Sequence, residues 1–183
     1  MRRPDPHPQE EERLKIIRSL EILDTHPEER FDRITKMAIE KFNMPISSIT
    51  IVDKDREWYK SFKGLDLNES PRNESFCGHA LLEKDIFIVG DTLDDKRFFD
   101  NPQVKKNRKN HKPIRFYAGI NLKHKESGLP VGVFCVKGYK PHKLSKEEIE
   151  AFKELAKEAE YEINKEKKYT QKTISERKVN WET

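Results

Sequence analysis

Apolar residues recur every three or four positions near both ends of the chain, which is the spacing of a buried helical stripe. This spacing predicts a helix over about 10–22, a second helix that ends at Asn43 and a long helix near the C-terminus. Their stripes are Leu14, Ile17 and either Leu20 or Leu23; Phe31, Ile34, Ala38 and Phe42; and Ile149, Phe152, Leu155, Ala159 and Ile163. Thr25 and Glu28 have capping-box spacing, so we place the start of the second helix there. Ser145 and Glu148 repeat that spacing at the start of the third.

Between these helices, apolar and polar residues alternate in short runs, as they do in half-buried strands. The runs are 46–52, 58–62, 86–89, 114–122 and 131–136. Most of the connections are too short for the crossovers that parallel strands need, so the sequence predicts an antiparallel sheet. Helices packed on such a sheet make an α+β domain.

The 183 residues are enough for one domain with extensions. Residues 1–9 contain three prolines and almost nothing apolar, so we expect a disordered lead. The folded domain is predicted over 10–169. A weakly ordered tail is predicted over 170–183.

Charge and composition exclude several classes of protein. Thirty-seven Lys and Arg against 33 Asp and Glu leave +4, too nearly balanced to indicate nucleic-acid binding. We interpret the basic run 105–112 as a solvated loop, with phosphate contact as the alternative. The run contains no aromatic residue, which argues against nucleic-acid binding there as well. No apolar run is long enough to span a membrane, and the N-terminus lacks a secretory signal. The two cysteines form no disulfide framework, which predicts reduced thiols and a cytoplasmic protein.

The window 70–80 carries more reactive side chains than any other of its length. Ser75 is predicted to cap a short helix that contains Phe76 and Cys77. Three interpretations of Cys77 stay open: a packed thiol, a thiolate activated by His79, and a metal ligand together with His79 and Cys135. Packing is the commonest fate of a free cysteine, so we favour it and assign no metal site.

Arginines and aromatic residues supply the other candidate contacts. Arg115 and Tyr117 share one face of the strand 114–122, where the guanidinium could hold an anion. Arg72 and Arg97 are the other candidates, although nearby aspartates favour structural pairing for two of the three arginines. Trp58 is either a packing residue or a wall of the pocket.

Several sequence motifs in this chain resemble those of GAF domains, in particular the subgroup found at the N-terminus of bacterial signalling proteins. The matching motifs lie at 20–25, 52–65, 71–80, 97–102, 114–119 and 132–136. The resemblance implies an antiparallel sheet with terminal helices on one face and a pocket of loops and a short helix on the other. The residues expected to line that pocket are Arg115, Tyr117, Cys77, His79, Phe76, Trp58 and Arg72. Family ligands include cyclic nucleotides, bilins, haem and small metabolites, so the ligand and any cofactor stay unknown.

We therefore expect a sensory or regulatory domain that binds a small molecule and acts on a separate signalling partner. Two alternatives stay open: a thiol-dependent redox enzyme such as a free methionine sulfoxide reductase, and an interaction module without a ligand. No catalytic residue is assigned. Surplus apolar surface on the first helix predicts a homodimer through the terminal helices.

Overall fold

A six-stranded sheet organises the protein, in a computed structural model that describes residues 1–105 and 112–165. The strands lie in the order β3-β2-β1-β6-β5-β4. They are β1 (Ile46–Val52), β2 (Arg56–Lys63), β3 (Glu69–Pro71), β4 (Phe87–Val89), β5 (Phe116–Lys123) and β6 (Pro130–Gly138). The helices are α1 (Glu10–Ser19), α2 (Glu29–Phe42), α3 (Phe76–Ala80) and α4 (Lys146–Asn164), with a 3-10 turn at Arg72–Glu74.

Every strand pairing in this sheet is antiparallel, which confirms the predicted α+β class. Strand β1 lies at the centre of the sheet and pairs with β2 and β6. All seven of its residues are buried, so the expectation of a half-buried strand was wrong. Ser48 and Thr50 of β1 lie beside the buried cysteines Cys135 and Cys77, in a second layer that covers the other side of the sheet. Strand β3 was not predicted, since three residues are too few for an alternation pattern.

Helices α1, α2 and α4 pack on one face of the sheet, as expected. Phe152 of α4 lies between Phe134 of β6, at 4.7 Å between ring centroids, and Phe42 of α2, at 5.5 Å. All three rings are buried. Because aromatic residues bury large apolar areas, this contact holds α2 and α4 on the sheet.

Two predicted helix starts have different outcomes. Ser145 and Glu148 form the expected capping box of α4. Thr25 does not cap α2, which begins only at Glu29 and has no side-chain cap. The Thr25 hydroxyl instead accepts a hydrogen bond from the buried Lys60 ammonium at 2.7 Å. A tertiary contact has therefore replaced the local one.

The ends of the domain differ in part from expectation. Helix α1 ends at Ser19 because Glu21 adopts a left-handed conformation, with φ of 48°. Residues 1–9 have almost no regular structure, yet Arg2 donates its backbone N–H to the Arg97 carbonyl at 3.1 Å. The predicted tail 170–183 lies outside the described residues, so the domain boundaries stay predictions. No helix among the described residues has the length and apolar character needed to cross a membrane.

Candidate functional site

The short helix α3 lies on the opposite face of the sheet from the terminal helices. The Ser75 hydroxyl caps it, as predicted, by accepting the Gly78 N–H at 2.8 Å. Phe76 stacks between Phe98, at 4.3 Å, and Tyr117, at 5.1 Å. All five residues of α3 are buried. Helix α3 is therefore an internal element of the domain.

Cys77 and Cys135 meet between α3 and β6, where their Sγ atoms lie 3.8 Å apart. The Tyr117 hydroxyl donates to Cys77 Sγ at 3.3 Å, and the Ser48 hydroxyl lies 3.2 Å from Cys135 Sγ. We call these four residues the thiol cluster. Each of their side chains is fully buried. The Tyr117 hydroxyl also occupies the space a Cβ at Gly119 would need, since the two would lie 2.4 Å apart.

The two thiols ionise differently. Burial raises the pKa of Cys77 well above its usual value, and its hydrogen bond to Cys135 raises it further. The same hydrogen bond lowers the pKa of Cys135, because Cys77 donates to the sulfur that carries the charge. Cys135 is therefore the first of the pair to form a thiolate.

His79 does not face Cys77. Its Nε2 lies 3.1 Å from the Arg2 carbonyl oxygen, and its ring packs edge-on against Phe98 at 4.9 Å. Burial lowers the pKa of His79, which leaves the imidazole neutral at pH 7. The geometry gives no support to a thiolate activated by His79. Among residues 1–105 and 112–165, no group of three or more His, Cys, Asp or Glu is placed to hold a metal ion.

The three candidate arginines are all paired with carboxylates. Arg115 makes two hydrogen bonds to Asp91, at 2.9 and 2.6 Å, and is partly exposed. Arg72 pairs with Glu10, and Arg97 pairs with Asp95 at 2.6 Å. The sequence predicted pairing with aspartates for two of the three arginines and kept Arg115 as the ligand contact. In the structure the two that pair with aspartates are Arg97 and Arg115, whereas Arg72 pairs with a glutamate.

The predicted pocket residues do not converge on one cavity. Tyr117 is enclosed in the thiol cluster. Arg115 lies just before β5 and is hydrogen-bonded to Asp91, which follows β4. Trp58 packs into the core on the helix side of the sheet. Ligand contact by any of the seven stays a prediction.

A cleft opens instead beside the thiol cluster. Its cavity volume is about 50 Å³, and the empty space reaches about 600 Å³ only when the open solvent at its mouth is included. Its floor is made by sheet residues, among them Ile46, Tyr59 and Lys137, each at most 6% exposed. The Lys137 ammonium donates to Gln103 Oε1 at 3.1 Å. The other lining residues include Leu65, Asp66, Leu67, Glu69, Ser70, Pro102, Lys105, Lys112, Ile114 and Tyr139.

Glu57 connects this cleft to α3. The buried carboxylate accepts hydrogen bonds from Tyr59, at 2.9 Å, and Ser70, at 2.6 Å, both of which line the cleft. It also accepts a hydrogen bond from Ser75, the cap of α3. Because Tyr59, Ser70 and Ser75 all donate to Glu57, a displacement of Tyr59 or Ser70 would be passed on to the N-terminus of α3.

Sequence reasoning missed Lys137, Tyr59 and Glu57. A signal for Lys137 was present, because it follows Cys135 by two positions and so shares its face of β6. The predicted strand ended at Val136, which left Lys137 outside it. Lys105 and Lys112 of the basic run also line the cleft, whereas 106–111 lie outside the described residues.

Comparison with known proteins identifies the family. A family model described as GAF domain matches residues 26–163. The chain belongs to the GAF domain family. The fold inferred from sequence resemblance is therefore confirmed.

Sequence comparison also finds a larger relative of this GAF domain. The chain is 39% identical over 132 residues to a cyclic di-GMP phosphodiesterase of Pseudomonas aeruginosa, a match that covers 72% of this chain. It spans only 22% of that relative's length. This GAF domain is thus similar to one part of a larger protein, and the family places it in a sensory or regulatory role.

Solved structures share its fold at low identity. The GAF domain of an Acinetobacter phosphoenolpyruvate-protein phosphotransferase matches with a TM-score of 0.59 and 16% identity, covering 86% of this chain and 93% of that one. A type II free methionine-R-sulfoxide reductase from Thermoplasma acidophilum matches with a TM-score of 0.57 and 15% identity, covering 82% and 94%. At such identities the likeness shows the fold alone, so the reductase alternative stays a prediction.

Proposed function

We propose that this GAF domain senses a small molecule bound in the cleft that the sheet forms with the segments 65–68 and 102–105. The observation that carries the proposal is the floor of the cleft, where Tyr59 and Lys137 place polar groups among apolar side chains. Small-molecule sites have this character: a mostly apolar concavity with a few fixed polar groups that orient the ligand.

Charge in the cleft favours a ligand with an anionic group. Lys105, Lys112 and Lys137 contribute three ammonium groups, against the carboxylates of Asp66 and Glu69. Of the five, only Lys137 is almost fully buried. Charge-assisted hydrogen bonds are stronger in such a partly desolvated place, so the anionic group would bind at Lys137. Ile46 and Tyr139 would contact an apolar or aromatic part of the same ligand.

The sheet could transmit ligand binding from the cleft to the helices on its other face. Strands β1 and β6 line the cleft with one face and contact α1 and α2 with the other. A ligand that shifts these strands would alter the packing of the helices, through which a separate signalling partner could respond. We propose that the protein acts in the cytoplasm, in keeping with its two unbonded thiols.

Ligand binding is expected to raise the melting temperature. A ligand at one hundred times its Kd stabilises the folded state by about 2.7 kcal/mol, or a shift of about 5–10 °C for a domain of this size. Differential scanning fluorimetry against nucleotides and phosphorylated or carboxylated metabolites measures the shift. Lys137→Met should abolish it.

Arg115→Met is the matched control, because Arg115 does not line the cleft. It should keep the ligand-induced shift, whatever the melting temperature without ligand. A shift that survives Lys137→Met but is lost in Arg115→Met would contradict the cleft and restore the pocket predicted at Arg115. No shift with any compound would favour the interaction module without a ligand.

We also propose that the domain forms a homodimer through its terminal helices. Ile17 is fully buried in the core, but Leu14 and Ile16 of α1 are only partly buried. Tyr161 near the end of α4 is 63% exposed. Light scattering at tens of micromolar is expected to give twice the monomer mass. The double variant Leu14→Glu, Tyr161→Glu should give the mass of a monomer. A monomeric mass for the unmutated chain would refute the dimer.

A further inference from the structure

We propose that Cys77 and Cys135 form a reversible redox site, in which a small hydroperoxide converts the two thiols to a disulfide. Their Sγ atoms lie 3.8 Å apart and are not bonded. A disulfide requires about 2.05 Å, so the sulfurs must approach by about 1.8 Å. Side-chain rotation and a small displacement of α3 can supply this, because α3 is only five residues long.

The thiol cluster assigns different roles to the two sulfurs. Cys135 Sγ accepts the hydrogen bond from the Cys77 thiol and lies 3.2 Å from the Ser48 hydroxyl. Lys137 follows two positions along β6 on the same face and favours negative charge there. These donors and this cation favour a thiolate at Cys135, which makes it the attacking sulfur.

The reaction then balances in two steps. The Cys135 thiolate attacks one oxygen of the hydroperoxide, the O–O bond breaks, and the leaving oxygen takes up a proton. Cys135 is now a sulfenic acid. Cys77 Sγ attacks this sulfur, the S–O bond breaks, and the oxygen leaves as water with the Cys77 proton. The two sulfurs together lose two electrons, which reduce the peroxide.

Burial limits which oxidants can react. Both side chains are fully buried, so a molecule close in size to water can reach them through small fluctuations of the native fold. A disulfide reagent as large as oxidised glutathione needs an opened domain. The redox site is thus distinct from a reductase that must admit methionine sulfoxide.

Peptide mapping of the whole chain tests the proposal. The reduced protein is treated with hydrogen peroxide under native conditions, then unfolded, alkylated and digested. We expect a cross-linked peptide pair that joins Cys77 to Cys135 and that dithiothreitol separates. Cys77→Ser and Cys135→Ser should each yield no such pair. Ser48→Ala should slow disulfide formation about threefold, since it removes a donor to the Cys135 thiolate.

Several results would overturn the site. Two alkylatable thiols after peroxide treatment would show that the native pair does not react. Cross-links only between chains, or sulfinic acid without a cross-link, would show that the two sulfurs cannot meet. Oxidation by oxidised glutathione or methionine sulfoxide as fast as by hydrogen peroxide would show that selectivity for small oxidants is absent. An unchanged rate in Ser48→Ala would remove Cys135 as the attacking thiol.

Discussion

Glu10→Ala is expected to lower the free energy of unfolding by about 3 kcal/mol. The Glu10 carboxylate accepts hydrogen bonds from Arg13 at 3.0 and 2.7 Å and also pairs with Arg72. The Arg13 side chain is fully buried, and its remaining hydrogen bond reaches the Val52 carbonyl at 2.7 Å. Without Glu10, a buried guanidinium loses the carboxylate that balances it. Chemical denaturation monitored by circular dichroism measures the loss.

Glu11→Ala is the matched control on the same helix. Glu11 is exposed, so its replacement should change the free energy of unfolding by less than about 0.5 kcal/mol. Equal stability of the two variants would show that the Glu10 pairs contribute nothing to the fold.

The contribution of Glu10 depends on pH. Burial opposes its ionisation, but hydrogen bonds from Arg13 and Arg72 outweigh burial and lower its pKa from 4.5 to about 2. A lowered folded-state pKa stabilises the fold above the unfolded value, so this contribution is complete above pH 4.5 and is lost as the pH falls to 2. Since the side chain is about one-fifth exposed, we expect about 2 kcal/mol.

Glu10→Gln isolates this contribution, because the other carboxylates titrate equally in both proteins. The stability difference between the unmutated chain and Glu10→Gln should shrink by about 2 kcal/mol from pH 6 to pH 2.5. A difference that stays constant over this range would contradict the lowered pKa.

Gly132→Ala is expected to cost at least about 3 kcal/mol, because there is no room for a Cβ between two central strands. A Cβ at Gly132 would lie 2.2 Å from the Thr50 carbonyl oxygen of β1. The contact is with backbone, so rotation of a side chain cannot relieve it. Strands β1 and β6 would have to separate where they pair. Urea denaturation, or loss of soluble protein, measures the effect.

Gly128→Ala separates this clash from the ordinary cost of replacing glycine. Gly128 has φ of 70°, but a Cβ there would meet no atom within 4 Å. Strain in the left-handed region should therefore cost only about 1 kcal/mol. Equal losses in the two variants would show that the strands yield easily at Gly132.

The sequence by itself determined the family and most of the elements, although not strand β3. Apolar spacing identified α2 and α4, since Phe31, Ile34 and Phe152 must all face one core. Alternation identified β1 at its observed bounds, and capping chemistry identified the starts of α3 and α4. These features depend on neighbours within a few residues, which is the range over which periodicity and caps act.

The candidate site was decided by the tertiary structure. Cys77 and Cys135 are 58 residues apart, and only the packing of α3 on β6 brings their sulfurs together. The sequence indicated Arg115 as a ligand contact, but its charge is paired with Asp91, which lies on a neighbouring loop. Lys137 lines the cleft because β6 extends past Val136. Such contacts join residues that are distant in the chain, so local sequence patterns do not predict them. Only the assembled sheet shows which polar groups share a cavity.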